Sequence, residues 1–218
     1  METGRGETGM NENQVVTNVK DKALIEKRRN QMIKGAIQLF KQKGFHKTTT
    51  REIAKESGFS IGTLYEYIRT KEDVLFLVCD AIYEQVRSRL EKVIDLECAS
   101  LESLGTVMES YFQLMDEMQD EVVVMYQEVK SLKNDTKEYV LEKERDMVEL
   151  LKQVIVTCLP YKIMDKDAML LANNIFVQGQ MWGFRRWMLQ KEFTLKEYSE
   201  RQIKFLTQAV KEQQTSTS

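Results

Sequence analysis

Proline occurs once in the 218 residues, at Pro160, and glycine only ten times. A chain so poor in helix breakers, and rich in Leu, Met, Glu, Lys and Gln, is expected to be all-α. Histidine is present once, as His46. One imidazole with no Cys or acidic cluster beside it makes a zinc site an unsuitable reading, and it removes nucleophilic mechanisms that need a separately placed His. Cys79, Cys98 and Cys158 are widely spaced and odd in number, as expected for reduced thiols of a cytosolic protein. No run of about 18 uncharged apolar residues is found, so no membrane span is expected. The first residues lack the apolar core of a signal peptide, which again points to the cytoplasm. Neither a phosphate loop nor a dinucleotide fingerprint occurs, and no cofactor or metal is expected. No pair of carboxylates has a spacing suited to acid–base work, so the chain does not read as an enzyme.

What is present is charge, at 30% of residues, and it is unevenly placed. Residues 1–19 carry one Arg and three Glu. Residues 20–71 carry thirteen Lys or Arg against five Asp or Glu, whereas 72–218 carry eighteen against twenty-six. A small basic module is thus attached to a larger acidic body, which suggests one end that meets nucleic acid. The expected organisation is a disordered polar tail over 1–19, a DNA-binding module over 20–71, and a helical body over 72–213.

Within the module a helical period begins near Asp21. Met32, Ile33, Ala36, Ile37, Leu39 and Phe40 form its apolar stripe, and Gly44 is expected to end it in a left-handed cap. Thr49 and Glu52 have the spacing of a capping box, so a second helix should begin at Thr50 and stop at Gly58. Ser60 can cap a third, held to the core by Leu64 and Ile68, and Thr70 a fourth. Further helices are expected near 101–119, 121–133, 136–159, 166–190 and 195–213, giving about nine in all.

Two short helices joined by a glycine-bearing turn make a helix-turn-helix, whose second helix lies in the major groove. With Leu64 and Ile68 turned inward, the outer face would carry Ile61, Gly62, Thr63, Tyr65 and Tyr67. Gly62 lets the backbone approach DNA, Thr63 can reach phosphate or a thymine methyl, and the tyrosines offer hydroxyls. Tyr65 and Tyr67 point to different faces, so one can pack while the other contacts DNA. Thr49, Thr50 and Arg51 open the preceding helix, where backbone amides favour phosphate and Arg51 can read guanine. Lys71 opens the next helix as a further phosphate charge.

The segment AIQLFKQKGFHKTTTREIAKESGFSIGTLYEYIRTKEDVLFLV resembles the DNA-binding domain of the TetR/AcrR family of bacterial regulators. The family pattern appears as Phe40, Gly44, Phe45, Thr49, Thr50, Ile53, Ala54, Gly58, Phe59, Ser60, Gly62, Thr63, Leu64, Tyr65, Tyr67, Lys71 and Glu72. Phe59 replaces the usual Val and Ile68 the usual Phe, while Ile61 stands where many members carry a polar or basic residue. The resemblance implies a homodimeric, ligand-responsive repressor that binds a palindromic double-stranded DNA operator. It also implies a helical effector-binding and dimerisation body, with the last two long helices paired across a two-fold axis. Gly179 and Gly183, four apart beside Trp182, Phe184 and Trp187, would let another helix approach closely.

Residues 107–132 are rich in Met and aromatics, which suits a small apolar or amphipathic effector. Tyr111, Met115, Met118, Tyr126 and Trp182 are the candidate ligand-binding residues. Either Arg185 or Arg186, but not both, could face an anionic ligand group such as a carboxylate or an acyl-CoA phosphate. The alternative to the regulator is a helical adaptor that keeps the helix-turn-helix only as a packing unit and binds no operator.

Overall fold

The computed structural model describes residues 21–94 and 100–216, with side chains described for all of these but 135 and 211–216. The tail expected over 1–19, together with Cys98, lies outside the described residues. Ten α-helices and one 3-10 turn make up the described chain, and no strand occurs among those residues.

The first four helices follow from their caps. α1 spans Lys22–Lys43 with the Asp21 carboxylate accepting from Leu24 N–H. It stops at Gly44, whose φ is +81° but whose ψ is 160°, so the residue is positive in φ without being left-handed helical. Side chains rarely adopt that backbone, which explains the glycine. α2 spans Thr50–Glu56 behind a complete Thr49/Glu52 capping box. Gly58, at φ +74°, then turns the chain. α3 is only Ile61–Tyr65, capped by Ser60, and α4 runs Lys71–Val93 behind a Thr70/Asp73 capping box.

The body is built from α5 (Leu101–Glu117), α6 (Gln119–Glu128), a 3-10 turn at Val129–Ser131, α7 (Asn134–Cys158) and α8 (Asp165–Phe184). α9 (Arg186–Glu192) and α10 (Leu195–Ser216) complete it. The single helix expected over 166–190 is divided at Arg185, whose φ of −102° and ψ of 24° leave the helical region. The bend lets Arg186 reach Asp120 at 3.2 Å while Trp182 donates to Asp116 at 2.6 Å, so both ends of the joint are held to the α5–α6 corner. No residue type at 185 announces this break, which comes from tertiary contacts.

α4 is the spine. Val74 to Cys79 are all buried, because α1, α5, α6 and α7 pack round this stretch. Burial pushes the Cys79 thiol up to about 12, so it behaves as a small apolar side chain. On α8, Gly179 and Gly183 do allow close approach, but the neighbour is the same chain. A Cβ at Gly179 would stand 2.3 Å from the Tyr111 ring, and one at Gly183 would stand 3.4 Å from Gln119 Cα.

Candidate nucleic-acid interface

α1, α2, α3 and the start of α4 fix the geometry of the helix-turn-helix. Ile53, Ala54, Leu64 and Ile68 are buried against Met32, Ala36 and Phe40 of α1. The C-terminal end of α2 packs tightly on α1 at Gly35, where a Cβ would lie 2.8 Å from Oγ and 3.2 Å from N of Ser57, the residue that caps α2. A glycine in a helix interior costs about 1 kcal/mol relative to alanine; here that cost permits backbone-to-backbone packing. Its position in mid-helix is the signal by which the sequence could have shown this contact.

Lys43 reaches Glu52 at 2.5 Å, adding an ion pair to the α2 capping box. The Lys43 pair, the Thr49 hydroxyl and the Thr49 amide together hold the Glu52 carboxyl at about 2. The start of α2 is thereby tied to the end of α1, which orients Thr50 and Arg51.

The outer face of this unit holds an exposed Arg51, a half-buried Thr50 and a Tyr65 that is 50% exposed. Thr50 Oγ1 and Tyr65 Oη are 3.2 Å apart and hydrogen-bonded. Thr49 is exposed, with its hydroxyl held by Glu52 at 2.8 Å. Ile61 is half-buried against the core, and Thr63 is half-buried with its hydroxyl 3.0 Å from Ser60 Oγ. Gly62 is exposed, and a Cβ there would meet only Ser60 Oγ, at 3.7 Å. Unlike Gly35, Gly62 is not required by any neighbour in its own chain.

Two residues expected on this face are oriented otherwise. Tyr67 is 3% exposed. α3 ends at Tyr65, and the Tyr67 amide bonds to the Leu64 carbonyl at 3.0 Å, so the helical projection does not extend to 67. The tighter turn swings its ring to the side of Leu64 and Ile68. Lys71 also points inward: its ammonium donates to the carbonyls of Phe45 at 3.0 Å, His46 at 3.1 Å and Thr48 at 3.3 Å, and stands 4.4 Å from the centre of the Phe45 ring. It closes the α1–α2 turn.

The module is also joined to the body by groups the sequence did not single out. Asp120 at the start of α6 pairs with Lys41 at 2.5 Å and with Arg186 at 3.2 Å. Burial alone would raise its pKa, but the two cations outweigh this and lower it. Glu128 accepts from the Phe45 amide at 3.3 Å, and Ser131 Oγ lies 3.2 Å from His46 Nε2.

The candidate ligand residues lie in the packed interior. Tyr111 is fully buried, stacks on Phe176 and donates to its carbonyl at 2.9 Å. Met115, Met118 and Trp182 are buried, with Trp182 against Tyr198. Tyr126 is half-buried and donates to Gln180 Oε1; burial first, then Glu144, pushes its phenol up to about 12. None of the five lines either of two clefts in the body. One, of about 550 Å³, lies between α7 and α8. The other, of about 180 Å³, is lined by Tyr161, Leu170 and Leu206 among others. Arg186 is taken by Asp120, and Arg185 lies over the Trp187 ring at 5.5 Å. Among the described residues no cluster of three or more metal-ligating side chains occurs, and no helix is long and apolar enough to cross a membrane.

Known proteins share this arrangement. The family described as bacterial regulatory proteins, tetR family, matches residues 32–78. The HTH-type transcriptional regulator HbdR of Aromatoleum sp. (strain CIB) is 28% identical over 191 residues, covering 87% of this chain and 83% of that one. The HTH-type transcriptional repressor KstR2 of Mycolicibacterium smegmatis is 27% identical over 105 residues, covering 48% of this chain and 51% of that one. Among solved structures, a regulatory protein in the tetR family from Rhodococcus RHA1 superimposes with a TM-score of 0.73 at 20% identity, over 84% of this chain and 97% of that one. AibR, solved in complex with isovaleryl coenzyme A and operator DNA, gives 0.63 at 19% identity, over 81% and 96%. The solved structures share the fold. Residues 32–78 match the tetR family's helix-turn-helix, and the curated relatives are transcriptional regulators, which supports a DNA-binding regulator.

Proposed function

We propose that the chain is a ligand-responsive repressor that binds a palindromic operator as a homodimer and leaves it when a small, largely apolar or amphipathic effector enters the body. The observation that carries this reading is the open outer side of α3. Gly62 has room for a side chain yet carries none, and Tyr65 stands beside it half exposed and oriented by Thr50. A surface relieved of side-chain bulk next to oriented donors suits a partner that approaches the backbone closely, as a duplex does. In this reading Thr49, Thr50, Arg51, Ile61, Gly62, Thr63 and Tyr65 meet DNA. Tyr67 and Lys71 hold that surface in place from behind.

The module extends to Lys71 and the effector-binding body to about residue 213. α4 belongs to both, since it packs on α1 as well as on α5 and α7. Leu170, Val177 and Phe184 recur at intervals of seven along α8 and are exposed, as is Phe205 of α10. Such a stripe on helices otherwise packed inward suits pairing with a second copy. The two α3 helices of a dimer would enter successive major grooves about 34–36 Å apart. Sensing of an effector is supported by AibR, whose structure contains both isovaleryl coenzyme A and operator DNA. The relatives HbdR and KstR2 are named as transcriptional regulators, which supports a regulator and not an enzyme, acting in the cytoplasm where its DNA target is.

Selection of duplexes from a random pool, followed by fluorescence anisotropy across salt concentrations, tests the reading. An enriched inverted repeat is expected, with affinity falling steeply from low to moderate salt as phosphate contacts release counterions. No enriched sequence, or salt-independent binding, would overturn it in favour of a helical adaptor.

A further inference from the structure

α7 turns Val140, Met147, Val148 and Leu151 into the core. Glu144 falls on that same helical face, four residues after Val140 and four before Val148, and is half-buried. It is the one carboxylate among these inward positions. Its neighbours on α7 are engaged elsewhere: Lys143 pairs with Glu84 at 3.7 Å, and Lys152 with Glu149 and Asp165 at 3.1 and 2.8 Å. No such pair serves Glu144 among the described residues. Burial alone raises its pKa, with no cation or hydrogen bond acting against the rise. The half-buried carboxylate thus has no donor from its own chain among the described residues and is left open to the groove it lines.

The carboxylate has two settings. On one side it lies within electrostatic reach of the phenols of Tyr83, Tyr111 and Tyr126, and raises all three. On the other it lines the groove of about 550 Å³ between α7 and α8, together with apolar Leu141, Val148 and Met169 and with the amide of Asn173. The groove also carries Asp146 and Glu149 against a single cation, Arg145. It has the volume of a small-molecule site, an apolar wall and a few convergent polar groups.

We propose that the α7/α8 groove is the effector's entry and seat, and that Glu144 accepts a hydrogen bond from a donor on the effector, such as a hydroxyl, an amide N–H or an ammonium, while excluding a free carboxylate. This rests on the ligand-responsive reading above and gives its ligand a chemical class: an apolar body bearing a donor group, neutral or cationic at that end. Such a ligand supplies the donor that Glu144 lacks. A free fatty acid would set a second negative charge beside it. An acid masked as an ester, thioester or amide meets no such penalty.

The test uses the full chain with three probes of equal chain length, 1-decanol, decylammonium and decanoate, followed by tryptophan fluorescence. 1-Decanol and decylammonium are each expected to bind at least tenfold more tightly than decanoate, and Glu144→Gln to reduce that preference to less than threefold. Equal or tighter binding of decanoate, binding of none of the three, or a preference unchanged in Glu144→Gln would overturn the proposal. The order of the probes on the unaltered chain decides by itself if the variant does not fold. Operator titration of the unliganded chain is run in parallel. Failure there would count against the regulator reading and leave the result on the groove intact.

Discussion

Thr50 Oγ1 and Tyr65 Oη lie 3.2 Å apart, joining the first residue of α2 to the last residue of α3 across the helix-turn-helix. When the phenol donates outward to a phosphate, the threonine hydroxyl must be the donor of this pair, so Thr50 orients Tyr65. A neutral hydrogen bond contributes about 1 kcal/mol, or roughly fivefold in affinity. Thr50→Val and Tyr65→Phe should each weaken operator binding by about that much. The double variant should be weaker by less than the sum, because both changes remove one chain of bonds. Anisotropy titrations of the four proteins check this; strictly additive losses would mean the hydroxyls act apart.

Gly62 separates folding from binding. In a helix, alanine is favoured over glycine by about 0.5–1 kcal/mol, and a Cβ at 62 meets only Ser60 Oγ at 3.7 Å. Gly62→Ala should therefore raise the midpoint of thermal unfolding or leave it unchanged. Operator affinity should nonetheless fall by roughly tenfold, about 1.4 kcal/mol, as the added methyl holds the backbone away from the duplex. Unchanged affinity would remove Gly62 from the interface.

The exposed stripe on α8 and α10 predicts the state of assembly. Leu170 and Phe205 are each 60% exposed in the single chain. Replacing both by Asp should convert a dimer to a monomer in sedimentation velocity, and should lower operator affinity by the loss of the second half-site. A dimer that persists would place the interface elsewhere.

Acid should loosen the start of α2 through Glu52. The bonds from Lys43 and Thr49 hold its folded-state value at about 2, below the ordinary 4.5. A depressed carboxylate contributes stability that is fully present above the ordinary value and is lost as pH falls toward the folded one. The window is therefore pH 4.5 down to 2. Glu52→Gln should flatten the dependence of stability on pH across that window, measured by thermal unfolding at half-unit steps, and leave the slope above pH 5 as it was.

Much of the module was legible because its elements begin and end on local chemistry. Asp21, Thr49, Ser60 and Thr70 cap the next helix with their own side chains, so the boundary is set by the residues at the boundary. The break at Arg185 was not legible, since it depends on Asp116 and Asp120, about 65 residues earlier. Gly179 reads from the sequence as a place of close approach, but only the packed chain shows that the Tyr111 ring comes against it. Helical projection puts Tyr67 outward only if α3 runs two positions beyond its five residues; it ends at Tyr65, and Tyr67 is buried. The groove at Glu144 is not legible in the sequence, because α7 carries carboxylates on several sides and periodicity alone does not single out the one turned inward.

Lys71 shows how a cation can serve an interface without touching it. Its ammonium gathers three carbonyls of the α1–α2 turn and lies over Phe45. The carbonyls of Phe45, His46 and Thr48 converge there because the chain reverses just after Gly44, and each must find a donor. Lys71→Met keeps the aliphatic stem and removes the donor. Hydrogen bonds to a charged group contribute about 1.5–3 kcal/mol, and partial exposure puts this one at the lower end. The variant should lose about 1–2 kcal/mol of stability, and amide exchange should speed up at residues 45–50 before it does so elsewhere. Operator affinity should fall in parallel with that loosening and recover when the turn is stabilised at low temperature. A Lys71 that contacted phosphate directly would instead lower the slope of log affinity against log salt by about one with no change in exchange at the turn, so the two measurements together decide which role it has.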